Sequence, residues 1–174
     1  LGNDKRAIWC PLYGLDTFDK LFTSRQLAAL TTISDLVLEA KELAFSNSMD
    51  ARLLDDNRGI NEGGKGAQAY ADAVATFLAL VIDKNVDYWS SICSWHSGRD
   101  LIRNTFARQG IPMAWDFAEA NPFSESTGNF YGAVGWIFKV LNALSPGPLG
   151  RVRQLDSATS LPEIDNPTIS TDPP

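Results

Sequence analysis

The sequence of 174 residues has too few cysteines and histidines to predict a zinc site. It contains two cysteines, Cys10 and Cys93, far apart and in no Cys-x-x-Cys pair, and His96 is its only histidine. Zinc sites in proteins need three or four such ligands at characteristic spacings. The sequence therefore predicts no metal site, and it predicts that both cysteines are buried free thiols.

Long apolar runs are also missing. No stretch reaches the roughly 18 consecutive apolar residues that a membrane-spanning helix requires. The first ten residues lack the charged start and apolar centre of a signal peptide. We therefore expect a cytoplasmic protein with no membrane partner. The chain begins without Met and ends on two prolines, so we also expect it to be a segment of a longer protein.

The third feature that the sequence lacks is an excess of positive charge. The net charge is −6 and the sequence pI is about 4.7. Free-standing domains that bind nucleic acid through its phosphates usually carry a basic excess. This composition argues against such a domain as a whole but leaves a local basic face open.

Helical periodicity dominates the first two thirds of the chain. Thr23 followed by Gln26 fits a capping box, and apolar residues then recur every three or four positions, which predicts a helix over about 24–45. A second apolar stripe predicts a helix over about 67–94, antiparallel to the first. The polar, glycine-containing stretch 46–66 predicts a mobile connection between them.

After residue 95 the predicted elements become shorter. Helices are plausible over 99–107, 115–120 and 131–144, and strands over 150–156 and 167–172. We therefore predict a mainly α fold with a small C-terminal β part. Residues 1–148 form the helical region, and residues 149–174 form the separate β-containing piece.

The densest polar and aromatic chemistry lies in residues 95–123. Arg99 and Arg103 share a face if the segment is helical, and Trp95, His96 and Arg108 are close in sequence. Arginines interleaved with aromatic residues suit phosphate contact and base stacking. These five residues are the predicted nucleic-acid-binding residues.

A structural interpretation of the same segment stays open and is favoured by composition. The arginines then pair with the neighbouring carboxylates of Asp100, Asp116 and Glu119, and the aromatic side chains fill the core. A lone histidine such as His96 is also more often a hydrogen-bonded structural residue than a site residue.

The chain ends on Asp172, Pro173 and Pro174, directly after the strand candidate TIST. Asp-Pro-Pro begins the (Asp/Asn)-Pro-Pro-(Tyr/Phe) motif of DNA methyltransferases that act on amino groups. The exocyclic amine of adenine needs hydrogen-bond acceptors so that its nitrogen lone pair is free to attack a methyl group. Asp156 ends the preceding strand candidate. Two acids at successive strand ends are typical of the ligand edge of a Rossmann-like sheet.

Most of the chain resembles a family of large bacterial and archaeal proteins, the adenine-specific DNA methylases that contain a Zn-ribbon. The matching stretches are AIWCPLYGLDTFDKLFTSRQLAALTTISDLV, YADAVATFLALVIDKNVDYWSSICSWH, IRNTFARQGIPMAWDFAEANPFSESTGNF and STDPP. The resemblance implies a fragment of an S-adenosylmethionine-dependent adenine-N6 DNA methyltransferase. Such a fragment consists of a helical insertion followed by part of a Rossmann-like methyltransferase sheet.

The resemblance also implies residue roles. Asp172 and the Pro173 carbonyl would hold the adenine amine, Pro174 would stiffen the loop, and Asp156 would lie near the adenine of the cofactor. DNA is the implied partner.

The sequence departs from the family in two respects. It lacks a Phe-x-Gly-x-Gly loop for S-adenosylmethionine and the cysteine pairs of a Zn-ribbon, and we expect both upstream in the longer protein. The isolated chain is therefore expected to be inactive. A helical module that binds DNA or protein without catalysis is the alternative.

Overall fold

The computed structural model describes residues 9–107, 110–144 and residue 147. Within them the α-helices are α1 (Ser24–Asp50), α2 (Ala67–Val86) and α3 (Phe130–Ala143). Two short antiparallel strands, β1 (Ser94–His96) and β2 (Leu101–Arg103), form a hairpin between α2 and α3. The described part of the chain is therefore mainly helical with a small two-stranded sheet. The predicted C-terminal strands and the rest of the predicted methyltransferase sheet over 149–174 lie outside the described residues.

Helix α1 begins at the predicted capping box, which the structure confirms. The Thr23 hydroxyl accepts a hydrogen bond from the Gln26 backbone N–H at 3.3 Å, and Gln26 Oε1 accepts one from the Thr23 N–H at 2.8 Å. The predicted end at residue 45 is wrong, because the helix continues to Asp50. The polar side chain of Ser48 stays within the helix by donating to the Ala44 carbonyl at 2.6 Å.

The C-terminal end of α1 has a left-handed residue where a glycine is common. Arg52 has φ 62°, and its N–H donates to the Met49 carbonyl at 2.9 Å. The Leu53 N–H donates to the Ser48 carbonyl at 2.9 Å. Together these two bonds satisfy helix-end carbonyls in the same way as a glycine-terminated helix end. Because arginine rarely adopts this conformation, the sequence carries no stop signal here.

Residues 51–66 connect α1 to α2 and form many hydrogen bonds of their own. The Asp56 carboxylate accepts from the backbone N–H groups of Arg58 at 3.3 Å and Lys65 at 3.1 Å. Asp72, in α2, accepts from the Ile60 N–H at 3.0 Å. The sequence predicts this connection over 46–66, but it begins only at residue 51, because α1 is longer than predicted. Its mobility stays a prediction.

Helix α2 ends at Val86, so the predicted continuation to residue 94 is wrong. The Asn85 carbonyl accepts from the Tyr88 and Trp89 N–H groups at 2.8 and 2.9 Å, which closes the helix with tighter turns. Beyond it, Trp89 and Ile92 are buried to 2% and 3% exposure by the folding of the loop itself. These two apolar residues therefore mark a buried loop, which the sequence pattern does not distinguish from a continued helix.

Helices α1 and α2 pack against each other in the predicted antiparallel arrangement. Lys41, in the C-terminal half of α1, reaches the Asp72 carboxylate near the start of α2 at 2.7 Å. Ile33, nearer the start of α1, and Ile82, near the end of α2, pack against the same core cluster. A chain that reverses direction between two helices brings opposite ends together in this way.

Two adjoining apolar clusters form the core. The larger one contains Leu30, Trp89, Cys93, Ile102 and Ala120, and thus joins α1, the 87–93 loop, β2 and the segment before α3. The smaller one contains Cys10, Leu21 and Ile92, and Phe22 packs against both clusters.

Cys10 and Cys93 are buried free thiols, as the sequence predicts. Burial raises the pKa of Cys10 above its ordinary value.

The predicted helices over 99–107 and 115–120 are wrong. Residues 97–100 form the turn of the hairpin, in which Asp100 has φ 47° and the Arg99 N–H donates to the His96 carbonyl at 3.1 Å. Ile102 then alternates with its neighbours and enters the core. Helix α3 agrees with the predicted helix over 131–144. Among the described residues, no helix is long and apolar enough to cross a membrane.

Candidate functional site

The hairpin carries four of the five predicted nucleic-acid-binding residues. Cross-strand partners are Ser94 with Arg103, Trp95 with Ile102, and His96 with Leu101. Side chains alternate between the two faces of a strand. Ile102 points into the core, and therefore Arg103 and His96 share the opposite face from Trp95.

This register corrects the helical interpretation of the two arginines. Arg99 lies in the turn and Arg103 in β2, so they do not share a helical face. Trp95 is 53% exposed, but strand alternation places it on the other face from Arg103. The structure thus presents Arg99, Arg103 and Trp95 at the surface without joining all three on one face.

Within the described residues, the carboxylates predicted to pair with Arg99 and Arg103 form no ion pair with them. Glu119 binds Arg25, and Asp100 and Asp116 form no ion pair in this part of the chain. Arg25 binds Glu119 through two hydrogen bonds, one of them from Nε to Oε1 at 2.7 Å. This contact lowers the pKa of Glu119 below its ordinary value. Within residues 9–107 and 110–144, neither Arg99 nor Arg103 lies within ion-pair distance of a carboxylate. The two hairpin arginines are therefore exposed charges.

His96 does not fill the hydrogen-bonded role that is common for a lone histidine. Its Nδ1 atom is buried, and it has no hydrogen-bond partner within the described part of the chain. The ring lies beside Gly98 in the hairpin turn, where a Cβ on that glycine would meet Cε1 at 3.5 Å.

A pocket of about 280 Å³ lies beside β2, between the hairpin and residues 112–116. Its apolar lining includes Ile92, Pro112 and Met113. Its polar lining includes the side chains of Arg103, Asn104 and Asp116. The pocket therefore combines an apolar base with a cation and two groups that accept hydrogen bonds.

Asp87 holds the wall of this pocket in place. Its carboxylate accepts hydrogen bonds from Asn104 Nδ2 at 2.7 Å and from the Phe106 N–H at 2.8 Å. Its backbone carbonyl accepts from the Thr105 N–H at 2.7 Å and from the Thr105 hydroxyl at 2.8 Å. Thr105 is 1% exposed, so the segment after β2 is fixed to the end of α2.

Trp115 forms the aromatic rim of the pocket and is 73% exposed. Tyr13 supports it edge-to-face, with ring centroids 4.5 Å apart at 77°. The prediction of site residues omits Tyr13, Asn104 and Trp115. The only sequence signal for Trp115 is its position in the aromatic segment after Trp95. Tyr13 is distant in sequence and gives no signal.

The described residues do not form a loop that fits S-adenosylmethionine. The glycine-rich stretch 63–66 follows a 3₁₀ turn, Ile60–Glu62, and no strand precedes it. Its amides are used by the chain itself, since the Gly63 N–H donates to the Ile60 carbonyl at 3.1 Å and the Gly64 N–H to the Gly59 carbonyl at 3.0 Å. A Cβ on Gly64 would lie 2.0 Å from the Arg58 carbonyl oxygen. These glycines therefore serve close packing of the chain.

The remaining predicted site residues lie outside the described part of the chain. They are Arg108, Asp156, Asp172, Pro173 and Pro174. In the part that is described, no group of three or more His, Cys, Asp or Glu side chains is placed to hold a metal ion.

A second concave surface lies between α1, α2 and α3. It is a groove of about 620 Å³, and its lining is almost entirely apolar. Phe123 and Tyr131, on the α3 side, are 78% and 74% exposed. A large exposed apolar surface of this kind is typical of a protein interface.

The fold and these two surfaces define a mainly helical protein with an arginine-bearing hairpin and an adjacent aromatic pocket. No family model matches the chain, and no curated protein or solved structure matches it.

Proposed function

We propose that the chain is part of an S-adenosylmethionine-dependent adenine-N6 DNA methyltransferase, in which the hairpin contacts DNA. The chemical part of the proposal is supported by the sequence Asp172-Pro173-Pro174 and by the family resemblance. The observation that carries the DNA contact is the exposure of Arg99 and Arg103 without carboxylate partners among the described residues. Composition alone favours pairing of these arginines with nearby carboxylates. However, Glu119, one of those carboxylates, binds Arg25.

Each group has a distinct role in this proposal. Arg99 and Arg103, together with Arg108, contact phosphates beside the target nucleotide, because a base-flipping enzyme must hold the backbone on both sides of an extruded base. Asp172 and the Pro173 carbonyl accept hydrogen bonds from the adenine amine. Asp156 lies near the cofactor adenine. The described residues do not fit the cofactor, so its binding loop belongs to another part of the longer protein.

A helical protein-binding module is the second candidate, and the apolar groove favours it. A groove lined by Ile33, Leu36 and Phe130 and flanked by exposed Phe123 and Tyr131 suits an apolar partner surface better than a phosphate backbone. In that case the groove, and not the hairpin, is the binding site.

The test is to replace Arg99, Arg103 and Arg108 singly by Gln in the 174-residue chain. DNA affinity is then measured by fluorescence anisotropy over a salt series, together with the melting temperature. A phosphate contact predicts weaker binding, and the slope of log K against log salt falls by about 0.9 per contact removed. Arg52→Gln is the control, because Arg52 is exposed and lies in the connection between α1 and α2.

Unchanged affinity with a lower melting temperature would show that the arginines serve the fold. If the chain does not bind DNA at any salt concentration, the protein-binding module becomes the better interpretation.

A further inference from the structure

We infer that the pocket beside β2 binds one unpaired nucleobase that carries an exocyclic amine, with Trp115 as its stacking platform. This inference rests on the proposed contact with DNA and deepens it. It assigns a position for a single-stranded nucleotide that is formed by residues other than those of the predicted Asp172 motif.

The size and floor of the pocket suit a single ring system. Its volume of about 280 Å³ lies just below the range for small-molecule pockets, which runs from about 300 to 1,000 Å³. Ile92 and Met113 contribute apolar surface, and both belong to or pack against the smaller core cluster. A flat heteroaromatic ring fits such a site better than a flexible or highly charged ligand does.

Trp115 is poorly explained as a packing residue. A side chain that fills the core is buried, whereas Trp115 is 73% exposed and is held at the rim by Tyr13. Aromatic side chains presented in this way stack on unpaired bases, and every base offers a face for stacking. Arg103 lies on the same pocket and can contact the phosphate of the bound nucleotide.

The polar groups of the pocket determine which bases it prefers. Asn104 donates one Nδ2 hydrogen to Asp87, which leaves its Oδ1 as an acceptor and its second N–H as a donor. Asp116 adds a carboxylate, and a carboxylate accepts hydrogen bonds only. The Asp116 carboxylate and Asn104 Oδ1 can both accept from the N–H groups of an exocyclic amine, as in adenine and cytosine. Thymine presents two carbonyl oxygens on either side of a single N3–H, and the Asp116 carboxylate repels both oxygens.

The experiment uses the 174-residue chain and fluorescein-labelled single strands of dA, dC and dT, with anisotropy as the readout. We expect dA and dC to bind more tightly than dT. Trp115→Ala should weaken dA binding roughly tenfold or more, whereas Trp115→Phe should retain most of it, because phenylalanine still stacks. Trp136→Ala is the matched control, since Trp136 is 58% exposed on α3 and does not line this pocket.

A second variant tests base preference separately from stacking. Asp116→Asn replaces a carboxylate by an amide that also donates, so the ratio of dA to dT affinity should fall towards one. Removal of the negative charge should at the same time raise affinity for every strand. Asp116 is exposed, and circular dichroism of each variant checks that the fold is kept.

The outcomes separate this inference from the proposed function. If single strands bind but Trp115→Ala binds them as tightly as the original chain does, the pocket assignment is wrong and the DNA contact stands. If dT binds as tightly as dA, the acceptor argument is wrong. If the folded chain binds neither single-stranded nor duplex DNA, both the inference and the proposed DNA contact are overturned.

Discussion

Asp87 links the end of α2 to the wall of the candidate pocket, so Asp87→Ala should weaken both the fold and the site. In the native chain its carboxylate accepts from Asn104 Nδ2 at 2.7 Å and from the Phe106 N–H at 2.8 Å. Alanine removes both acceptors but leaves the Asp87 backbone carbonyl with its two bonds to Thr105. The variant should therefore fold, but with a loosened segment after β2.

The magnitude follows from the exposure of the two donors. Hydrogen bonds to a charged group contribute about 1.5–3 kcal/mol each when desolvated. Phe106 is 47% exposed and its N–H can rebind water, whereas the Asn104 amide is half-buried, so the two together contribute roughly 2 kcal/mol. Loss of a negative charge at a helix C-terminus returns about 0.3–0.5 kcal/mol. We expect a net loss of about 1.5–1.7 kcal/mol, or a melting temperature lower by roughly 3–7 °C for a chain of this size.

Urea unfolding followed by tryptophan fluorescence measures this loss, because Trp89 is 2% exposed and reports on the core. Asp83→Ala is the matched control, since Asp83 lies in α2 one turn before Asp87, is exposed and forms no hydrogen bond with its side chain among the described residues. Its stability should change by less than about 0.5 kcal/mol.

Asp87→Asn gives a further check on the geometry. Its amide oxygen still accepts from Phe106, and its NH₂ can donate to Asn104 once the Asn104 amide turns over. Stability should then fall by less than about 1 kcal/mol. The turned amide uses its Oδ1 to accept from residue 87 and leaves only N–H donors for the pocket, so the preference for dA over dT should shrink. A loss under about 0.5 kcal/mol for Asp87→Ala, or an equal loss for Ala and Asn, would refute this reasoning.

Three further predictions concern pH, the cofactor and the chemistry. A contact with Lys41 lowers the pKa of Asp72, and a contact with Arg25 lowers that of Glu119. Both carboxylates therefore stabilise the fold above their unfolded pKa of about 4, and this stability is lost as the pH falls through the lower folded values. Urea midpoints at successive pH values should show this loss, and Asp72→Asn should make the midpoint less dependent on pH. Residues 1–174 should not bind S-adenosylmethionine appreciably, and calorimetry that finds micromolar binding would contradict this. In a longer protein that methylates DNA, Asp172→Ala should lower the rate by on the order of 10²-fold or more with folding intact; near-original turnover would leave the terminal motif without a catalytic role.

Local sequence signals predict the beginnings of the helices better than their ends. The Thr23 capping box is visible in two residue types at a fixed spacing, and it begins α1 where expected. The end of α1 depends on Arg52 in a left-handed conformation, which the residue type disfavours. The backbone hydrogen bonds from Arg52 and Leu53 stabilise that end, and neither residue type signals them in the sequence.

The hairpin shows a second limit of periodicity. Arg99 and Arg103 have helical spacing, and so do Tyr88 and Ile92, yet neither pair lies in a helix. Trp89, Ser90, Ile92 and Cys93 are buried because this short loop runs through the core. A loop with mostly buried side chains has no period, and it is easily mistaken for the end of the preceding helix.

The candidate pocket is harder still to predict, because its residues come from three separate parts of the chain. Arg103 ends β2 and Asn104 follows it, Trp115 lies in an irregular segment, and Tyr13 contacts Trp115 from a 3₁₀ turn near the start. The sequence does predict the chemistry of the region, since both the arginine and the tryptophan fall in the segment with the densest aromatic and polar content. Only the fold brings Tyr13 to Trp115 and turns Trp95 away from Arg103.

The 87–93 loop explains why the surface beside the hairpin is suited to a defined ligand. It forms hydrogen bonds with four neighbouring segments. Two loop groups donate: the Ser91 N–H to the Leu21 carbonyl at 2.8 Å, and Trp89 Nε1 to the Gly128 carbonyl at 2.6 Å. Two loop carbonyls accept: Cys93 from the Ala118 N–H at 2.9 Å, and Asp87 from the Thr105 N–H at 2.7 Å. Sites supported by such fixed contacts keep their geometry before a ligand arrives, which lowers the entropic cost of binding. The exposed groups, Arg103, Trp115 and Asp116, lie on this support without being part of it. Substitutions of these three residues should therefore change binding while stability stays the same, whereas Asp87 is the position at which binding and stability change together.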